Sequence, residues 1–232
     1  MKSTITLGRD TEGKLVNTTL SEMKSVLIGG VSGSGKSTLL RNIIEQIVDN
    51  EDVQIVIVDL KRVCFLDFKD KCPVVTDRNN IPPLFQQMCD VLEGRYIEME
   101  EANTDVCSRP HILLVIDEMA DVMPSLDKKC KDQLHQILSL GRQANMTVVA
   151  ATQTPSKTVL GSIIVDQFQT RVGLRVSNRY ASQITIGEGG CERIPNFSAI
   201  VITANGHKIE MRLIPPKGSG FEKQNLDKIV VR

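Results

Sequence analysis

The sequence lacks an excess of either charge, closely paired cysteines and any long apolar run. Its 28 basic and 28 acidic residues cancel, so no global field favours nucleic acid, although a local basic patch is compatible with a neutral total. The six cysteines form no CxxC pair and have no close histidine partners, which argues against a zinc or thioredoxin-type site and favours reduced thiols. The apolar runs fall well short of the roughly 20 residues of a membrane span, and the N-terminus has no apolar signal-peptide core. We therefore expect a cytoplasmic protein without a membrane segment.

β-branched runs alternate with helical patterns along most of the chain. Four runs are continuously apolar, as in strands buried on both faces of a parallel sheet: residues 25–28, 53–58, 112–116 and 147–151. Near the end, the runs 199–204 and 208–214 flank Asn205 and Gly206, a pair typical of a tight hairpin turn. We predict an α/β domain over residues 1–216 with a mostly parallel central sheet flanked by helices and a C-terminal antiparallel β-hairpin extension. Residues 217–232 are predicted to be a loosely ordered tail.

Residues 29–38, GGVSGSGKST, form a glycine- and serine-rich segment between a predicted strand and a predicted helix. The spacing follows the GxxxxGK[ST] pattern of a P-loop, in which backbone N–H groups and the helix N-terminus converge on phosphate oxygens. Lys36 is predicted to reach the β and γ phosphates, and the Ser37 hydroxyl to ligate Mg²⁺. A plain Gly/Ser turn is the alternative, but a chance match in a chain this long is roughly a one per cent event. The predicted nucleotide-binding residues are Gly30, Val31, Ser32, Gly33, Ser34, Gly35, Lys36, Ser37 and Thr38.

The segment HILLVIDE, residues 111–118, ends in two consecutive acids. A buried strand would deliver Asp117 to the sheet edge, where we predict that it binds Mg²⁺ directly or through water. Glu118 is predicted to orient and polarise the attacking water. The alternative is that the two acids cap the following helix. With the P-loop, the pair predicts hydrolysis of a nucleoside triphosphate, with ATP and Mg²⁺ as the cofactors.

Several segments resemble, in order, the FtsK/SpoIIIE family of hexameric DNA translocases in the HerA/FtsK group of P-loop ATPases. They are the lead-in strand with the P-loop, the "DPK" strand, the helix before the acidic pair, the "ATQ.P" signature and the segment after it: residues 7–37, 55–63, 91–100, 141–156 and 170–194. The resemblance covers about residues 5 to 214 and implies a RecA-like ATPase motor. Because Leu60 replaces the proline of "DPK", we interpret Asp59 and Lys61 as a simple turn.

The resemblance also implies roles for two further residues. Gln153 would sense the γ phosphate, and Arg142 would reach into the ATP site of a neighbouring subunit, where a guanidinium suits the developing charge. Arg171 is the second candidate for such a trans arginine. The alternatives are a polar strand cap for Gln153 and an exposed arginine near a helix C-terminus for Arg142.

Residues 155–162, PSKTVLGS, are the candidate DNA-contacting loop. Ser156, Lys157 and Thr158 could hold phosphates without reading the base sequence, and six copies in a ring would make a useful grip. An ordinary solvated loop is the alternative.

The resemblance implies ATP-driven translocation of double-stranded DNA by a homo-hexamer, in chromosome segregation or in conjugative or mobile-element transfer. Such a ring can assemble only when nucleotide or DNA contributes to the interface. We expect no membrane segment before the motor and no winged-helix module after it, so the chain is either an excised motor domain or a minimal motor. A membrane-anchored or recruiting partner is not identifiable. The alternatives are a protein-secretion ATPase of the type VII kind and an ATP-binding assembly switch with little turnover.

Overall fold

Ten strands form one mixed sheet within residues 4–216, which are the residues that the computed structural model describes. In chain order they are β1 (Ile5–Asp10), β2 (Leu15–Thr18), β3 (Val26–Gly29), β4 (Val53–Val58), β5 (Val74–Val75), β6 (His111–Ile116), β7 (Met146–Thr152), β8 (Thr170–Gly173), β9 (Ser198–Ile202) and β10 (Lys208–Leu213). Their spatial order is β2-β1-β10-β9-β8-β3-β7-β6-β4-β5. The strands from β8 to β5 in this order run parallel. The predicted α/β class and mostly parallel sheet are confirmed, and the predicted tail at 217–232 lies outside the described residues.

Helices cover both faces of this sheet. They are α1 (Leu20–Met23), α2 (Lys36–Glu45), α3 (Ile81–Glu101), α4 (Met119–Val122), α5 (Lys128–Leu140), α6 (Lys157–Leu160), α7 (Ser162–Gln167) and α8 (Arg179–Ile186), with 3₁₀ turns at Leu66–Phe68, Arg78–Asn80 and Met123–Ser125. Because strand side chains alternate between faces, Ile28 belongs to the same core as Ile43 of α2, whereas Leu27 belongs to a second core with Phe85 of α3 and Leu134 of α5. Each face of the sheet therefore has its own apolar core, in which a buried aliphatic side chain contributes about 1.5–3 kcal/mol.

The predicted C-terminal hairpin is confirmed as β9 and β10, which pair antiparallel. Its turn is closed by the Gly206 N–H, which donates to the Thr203 carbonyl at 2.8 Å. Gly206 has a φ of +82°, a conformation that glycine adopts without steric cost. The hairpin is part of the central sheet, because β9 pairs with β8 and β10 pairs with β1, with Leu213 opposite Gly8.

The N-terminal region, which the resemblance describes as a single lead-in strand, folds as a second hairpin of β1 and β2. The turn depends on the Asp10 carboxylate, which accepts the backbone N–H groups of Glu12 and Lys14 at 2.9 Å each. Aspartate at this position favours a local turn because its short side chain reaches N–H groups further along the chain. The additional strand β2 therefore depends on a turn formed by Asp10, which the pattern of apolar residues does not reveal.

Candidate active site

The carboxyl ends of the parallel strands form the edge of the sheet where the candidate site lies. At the ends of the strands, Gly29 of β3 is opposite Thr152 of β7, and Ile116 of β6 is opposite Val58 of β4. The P-loop after β3, the acidic pair after β6 and Gln153 after β7 therefore leave the sheet at one edge. Open α/β sheets bind their ligands at this edge.

The P-loop is held to the neighbouring strands by its own backbone. The Gly30 N–H donates to the Thr152 carbonyl at 3.1 Å, and the Val31 N–H donates to the Arg175 carbonyl at 2.8 Å. A Cβ on Gly30 would lie 2.5 Å from the Ser34 Oγ, so a glycine is required where the loop folds over itself. The predicted strand–loop–helix context is present, since α2 begins at Lys36.

Lys36, the first residue of α2, folds its side chain back onto this loop and is only 7% exposed. Its ammonium donates to the carbonyls of Gly30 at 2.7 Å and Val31 at 2.9 Å. Burial lowers the pKa of Lys36, while the carboxylates of Glu118 and Asp117 act in the opposite direction. The backbone carbonyls of the loop therefore accept the hydrogen bonds of the Lys36 ammonium, and phosphate oxygens could take their place.

Ser37 and Asp117 have the donor atoms that a magnesium ion requires. Both line one pocket of about 240 Å³, together with Lys36, Lys61 and Gln153. Burial first, and then the charge of Asp59, raises the pKa of Asp117 to about 6. A divalent cation would stabilise this buried carboxylate, and a hydroxyl with a carboxylate is a suitable oxygen set for Mg²⁺. The residues present thus fit the predicted ion.

Glu118 is 6% exposed and is fixed by several donors. Both of its carboxylate oxygens accept the Gln153 backbone N–H, at 3.1 Å each, and Oε1 also accepts the Ala120 N–H at 3.3 Å. The capping alternative considered for the acidic pair is therefore realised at Glu118, which is the N-cap of α4. The same contacts join the acidic pair to the end of β7, so the position of the Glu118 carboxylate is linked to the backbone at Gln153.

Lys61 is a residue of the site that sequence reasoning missed. Its Nζ lies 3.5 Å from Glu118 Oε2 and 3.5 Å from Asp121 Oδ2. Burial alone would lower the pKa of Lys61, but the carboxylates of Glu118, Asp121 and Asp117 together raise it. The predicted turn is present around Asp59, whose carboxylate accepts the N–H groups of four residues at 3.0–3.2 Å: Arg62, Val63, Cys64 and Phe65. The signal available in the sequence was that Lys61 aligns with the lysine of the "DPK" strand. It was discounted because Leu60 replaces the proline of that motif.

The two predicted trans arginines have different surroundings. Arg142 is exposed, in the turn between α5 and β7. The seven residues of β7 separate this turn from Gln153 by roughly 20 Å at 3.3 Å per residue, so Arg142 is remote from the P-loop of its own chain. Arg171 is half-buried and donates to the carbonyls of its own chain at Val165, Phe168 and Ile184, at 2.8–3.2 Å. These three hydrogen bonds engage the Arg171 guanidinium within its own chain.

The candidate DNA-contacting residues follow Gln153 directly in the chain. Ser156 precedes the short helix α6, in which Lys157 and Thr158 are exposed and Leu160 is buried as an anchor. The segment therefore presents the predicted polar groups to solvent beside the edge that carries the P-loop.

The phosphate-binding loop follows β3, and the acidic pair follows β6, which is separated from β3 by β7. Together with helices on both faces of the sheet, these features define a P-loop ATPase. Comparison with known proteins gives the family. The chain belongs to the FtsK/SpoIIIE family, whose sequence model matches residues 1–188, and the predicted resemblance is confirmed.

Individual relatives and solved structures are similar to this chain. DNA translocase FtsK from Staphylococcus epidermidis is 26% identical over 255 residues, covering 99% of this chain and 32% of the relative. The fold is similar to that of the pCW3 conjugation coupling protein TcpA, with a TM-score of 0.84, 20% identity, and coverage of 93% of this chain and 66% of TcpA. It is also similar to the Type VII secretion ATPase EccC of Thermomonospora curvata, with a TM-score of 0.77, 20% identity, and coverage of 94% and 29%.

The chain spans about a third of the length of the curated relatives that it matches. Within residues 4–216, no helix combines the length and the apolar composition that crossing a membrane requires.

Proposed function

We propose that this chain is the motor of an ATP-driven translocase that moves double-stranded DNA through a homo-hexameric ring. The observation that carries the proposal is the convergence of the P-loop with Asp117 and Glu118 at one sheet edge, in a member of the FtsK/SpoIIIE family. Curated relatives are named DNA translocases. A motor of this kind needs nucleotide chemistry, a link from that chemistry to DNA, and contacts between subunits, and the chain has candidates for each.

For the chemistry, Lys36 would exchange the carbonyls of Gly30 and Val31 for the β and γ phosphates, with the loop N–H groups beside it. The Ser37 hydroxyl and the Asp117 carboxylate would hold Mg²⁺, which supplies positive charge that offsets the charge of the phosphates. Glu118 would accept the proton of the attacking water as general base. ATP would bind in the pocket that Lys36, Ser37 and Asp117 line.

For the link to DNA, the short connection from Glu118 to the candidate DNA segment is the relevant feature. The Glu118 carboxylate holds the Gln153 N–H, and Ser156 and Lys157 follow within a few residues. A displacement of the carboxylate when the γ phosphate is bound or lost would therefore act on the segment that we propose contacts DNA phosphates. Gln153, whose side chain lines the pocket, would report the state of the γ phosphate to the same segment.

For the subunit contact, Arg142 is the candidate. It is exposed and its guanidinium forms no hydrogen bond or ion pair with any residue of 4–216. Because it lies roughly 20 Å along β7 from its own Gln153, it could assist hydrolysis only in a neighbouring copy. This supports a ring in which each ATP site is completed by the next subunit.

The test is the ATPase rate with and without long duplex DNA, combined with the molecular mass in ATP. We expect DNA to stimulate turnover and the mass to increase toward that of six chains. The Glu118→Gln variant is the matched control, because it keeps the fold and the nucleotide pocket while losing the proposed general base. Turnover that duplex DNA does not change would contradict the proposal and favour a protein cargo, as in the secretion ATPases. No turnover at all would favour an assembly switch.

A further inference from the structure

Phe197 lies against the P-loop, although it is far from it in sequence. Its N–H donates to the Ser34 carbonyl at 2.9 Å, and its own carbonyl accepts the Leu213 N–H at 2.8 Å. Between these two bonds the backbone of Phe197 has a φ of +61°, in the left-handed region that a bulky residue seldom adopts. Strained conformations of this kind persist where the surroundings fix them and are concentrated at ligand clamps and active sites.

The Phe197 ring packs directly on the last glycine of the loop. A Cβ on Gly35 would lie 3.1 Å from Phe197 Cδ1 and 2.8 Å from a methyl carbon of Leu213, and Gly35 has a φ of +110°. The absence of a side chain at Gly35 therefore allows the ring to approach the turn that leads into Lys36. Phe197 is half-buried and lines the same pocket as Ser37 and Thr38.

The strand order places Phe197 on one side of the P-loop and the catalytic groups on the other. From β3, the sheet continues through β7 and β6 toward Gln153 and Asp117, and in the opposite direction through β8 to β9 and β10. Phe197 immediately precedes β9. If the γ phosphate faces Asp117 and Glu118, as the proposed function requires, the nucleoside would lie on the opposite side of the P-loop, where Phe197 lies.

We propose that Phe197 is the platform on which the nucleobase of the bound triphosphate stacks. The inference deepens the proposed ATP binding and rests on it. An aromatic ring offers a π face to any base and does not read its hydrogen-bonding edge. The subsite therefore increases affinity for nucleosides in general, and it explains why an aromatic side chain is held in a strained backbone beside a phosphate-binding loop.

The test compares binding of ATP and of inorganic tripolyphosphate, which lacks the nucleoside, to the wild-type chain and to Phe197→Leu. Leucine preserves an apolar contact with Gly35 and Leu213 but has no π face. With Mg²⁺ present, we expect titration calorimetry to show about tenfold weaker ATP binding, which is the size of one base–aromatic contact, and tripolyphosphate binding within about twofold of wild type. Phe197→Tyr should restore ATP affinity, and thermal unfolding verifies that each variant is folded.

The outcomes separate this proposal from the one on which it depends. Equal losses for ATP and tripolyphosphate in Phe197→Leu would show that the ring only supports the loop, and unchanged ATP affinity would remove Phe197 from the site. Either result overturns the platform and leaves ATP binding intact. A wild-type chain that binds neither ligand would overturn the proposed function and the platform together.

Discussion

Replacing Asp117 by asparagine is expected to stabilise the nucleotide-free protein at neutral pH. Asp117 is 7% exposed, and burial with the nearby Asp59 charge raises the pKa of its carboxyl from 3.8 to about 6. Each pH unit between the folded and unfolded pKa corresponds to about 1.4 kcal/mol. Ionisation of Asp117 in the folded chain therefore costs up to about 3 kcal/mol. Asparagine has nearly the same shape and carries no charge.

The stabilisation has a definite pH dependence. Because the pKa of Asp117 is higher in the folded chain, this chain holds more protons than the unfolded one between about pH 4 and pH 6. The free energy of unfolding contributed by this group therefore falls as the pH rises through that window. Asp117→Asn removes the fall. The free energy of unfolding of the variant should exceed that of wild type by about 2–3 kcal/mol at a pH above the window, and by almost nothing at a pH below it.

Urea unfolding without nucleotide or metal, followed by circular dichroism above and below the window, measures the effect. Asp67→Asn is the control, because the hydrogen bond from Arg41 lowers the pKa of Asp67. Neutralising Asp67 should destabilise the protein at neutral pH, the opposite sign. A lower stability of Asp117→Asn above the window, or the same difference on both sides of it, would refute the reasoning.

The remaining predictions concern nucleotide chemistry. Lys36→Ala should lose nucleotide binding, because the loop loses its only central cation, and an unchanged ATP affinity in a direct titration would count against the role of Lys36. Glu118→Gln should bind ATP and hydrolyse it about 10²–10⁴-fold more slowly, and wild-type turnover would remove Glu118 from its role as base. Mixing Arg142→Ala with Glu118→Gln subunits should restore some ATPase activity, since some interfaces regain both groups. Activity no greater than the sum of the two variants, with subunit mixing verified by size, would contradict the trans assignment.

Much of this fold could be predicted from the sequence because its signals are local. The run before Asp117 and the run before Gly30 are continuously apolar, and β6 and β3 are accordingly buried on both faces. Asn205 and Gly206 occupy the turn of the C-terminal hairpin as predicted. In each case residues close together in the chain specify both the strand and the residue that follows it.

The contacts that were missed depend on residues far apart in the chain. Lys61 acquires a role only because β4 lies beside β6, which places Glu118 within reach. Phe197 reaches the P-loop through hydrogen bonds to Ser34 and Leu213, and no local pattern distinguishes its ring from an ordinary core side chain. Arg171 was the second candidate for a trans arginine, but carbonyls from two other segments of the fold accept hydrogen bonds from its guanidinium.

The contact between Glu118 and Gln153 has a consequence for mutagenesis. The carboxylate holds the peptide N–H at position 153 and not the side chain, so Gln153→Ala would remove the proposed γ-phosphate sensor and leave the contact in place. At position 153, only proline, which has no N–H, would remove the contact itself. Side-chain substitutions at position 153 therefore test the proposed phosphate sensor alone, whereas the hydrogen bond itself is tested by proline at 153 or by loss of the Glu118 carboxylate.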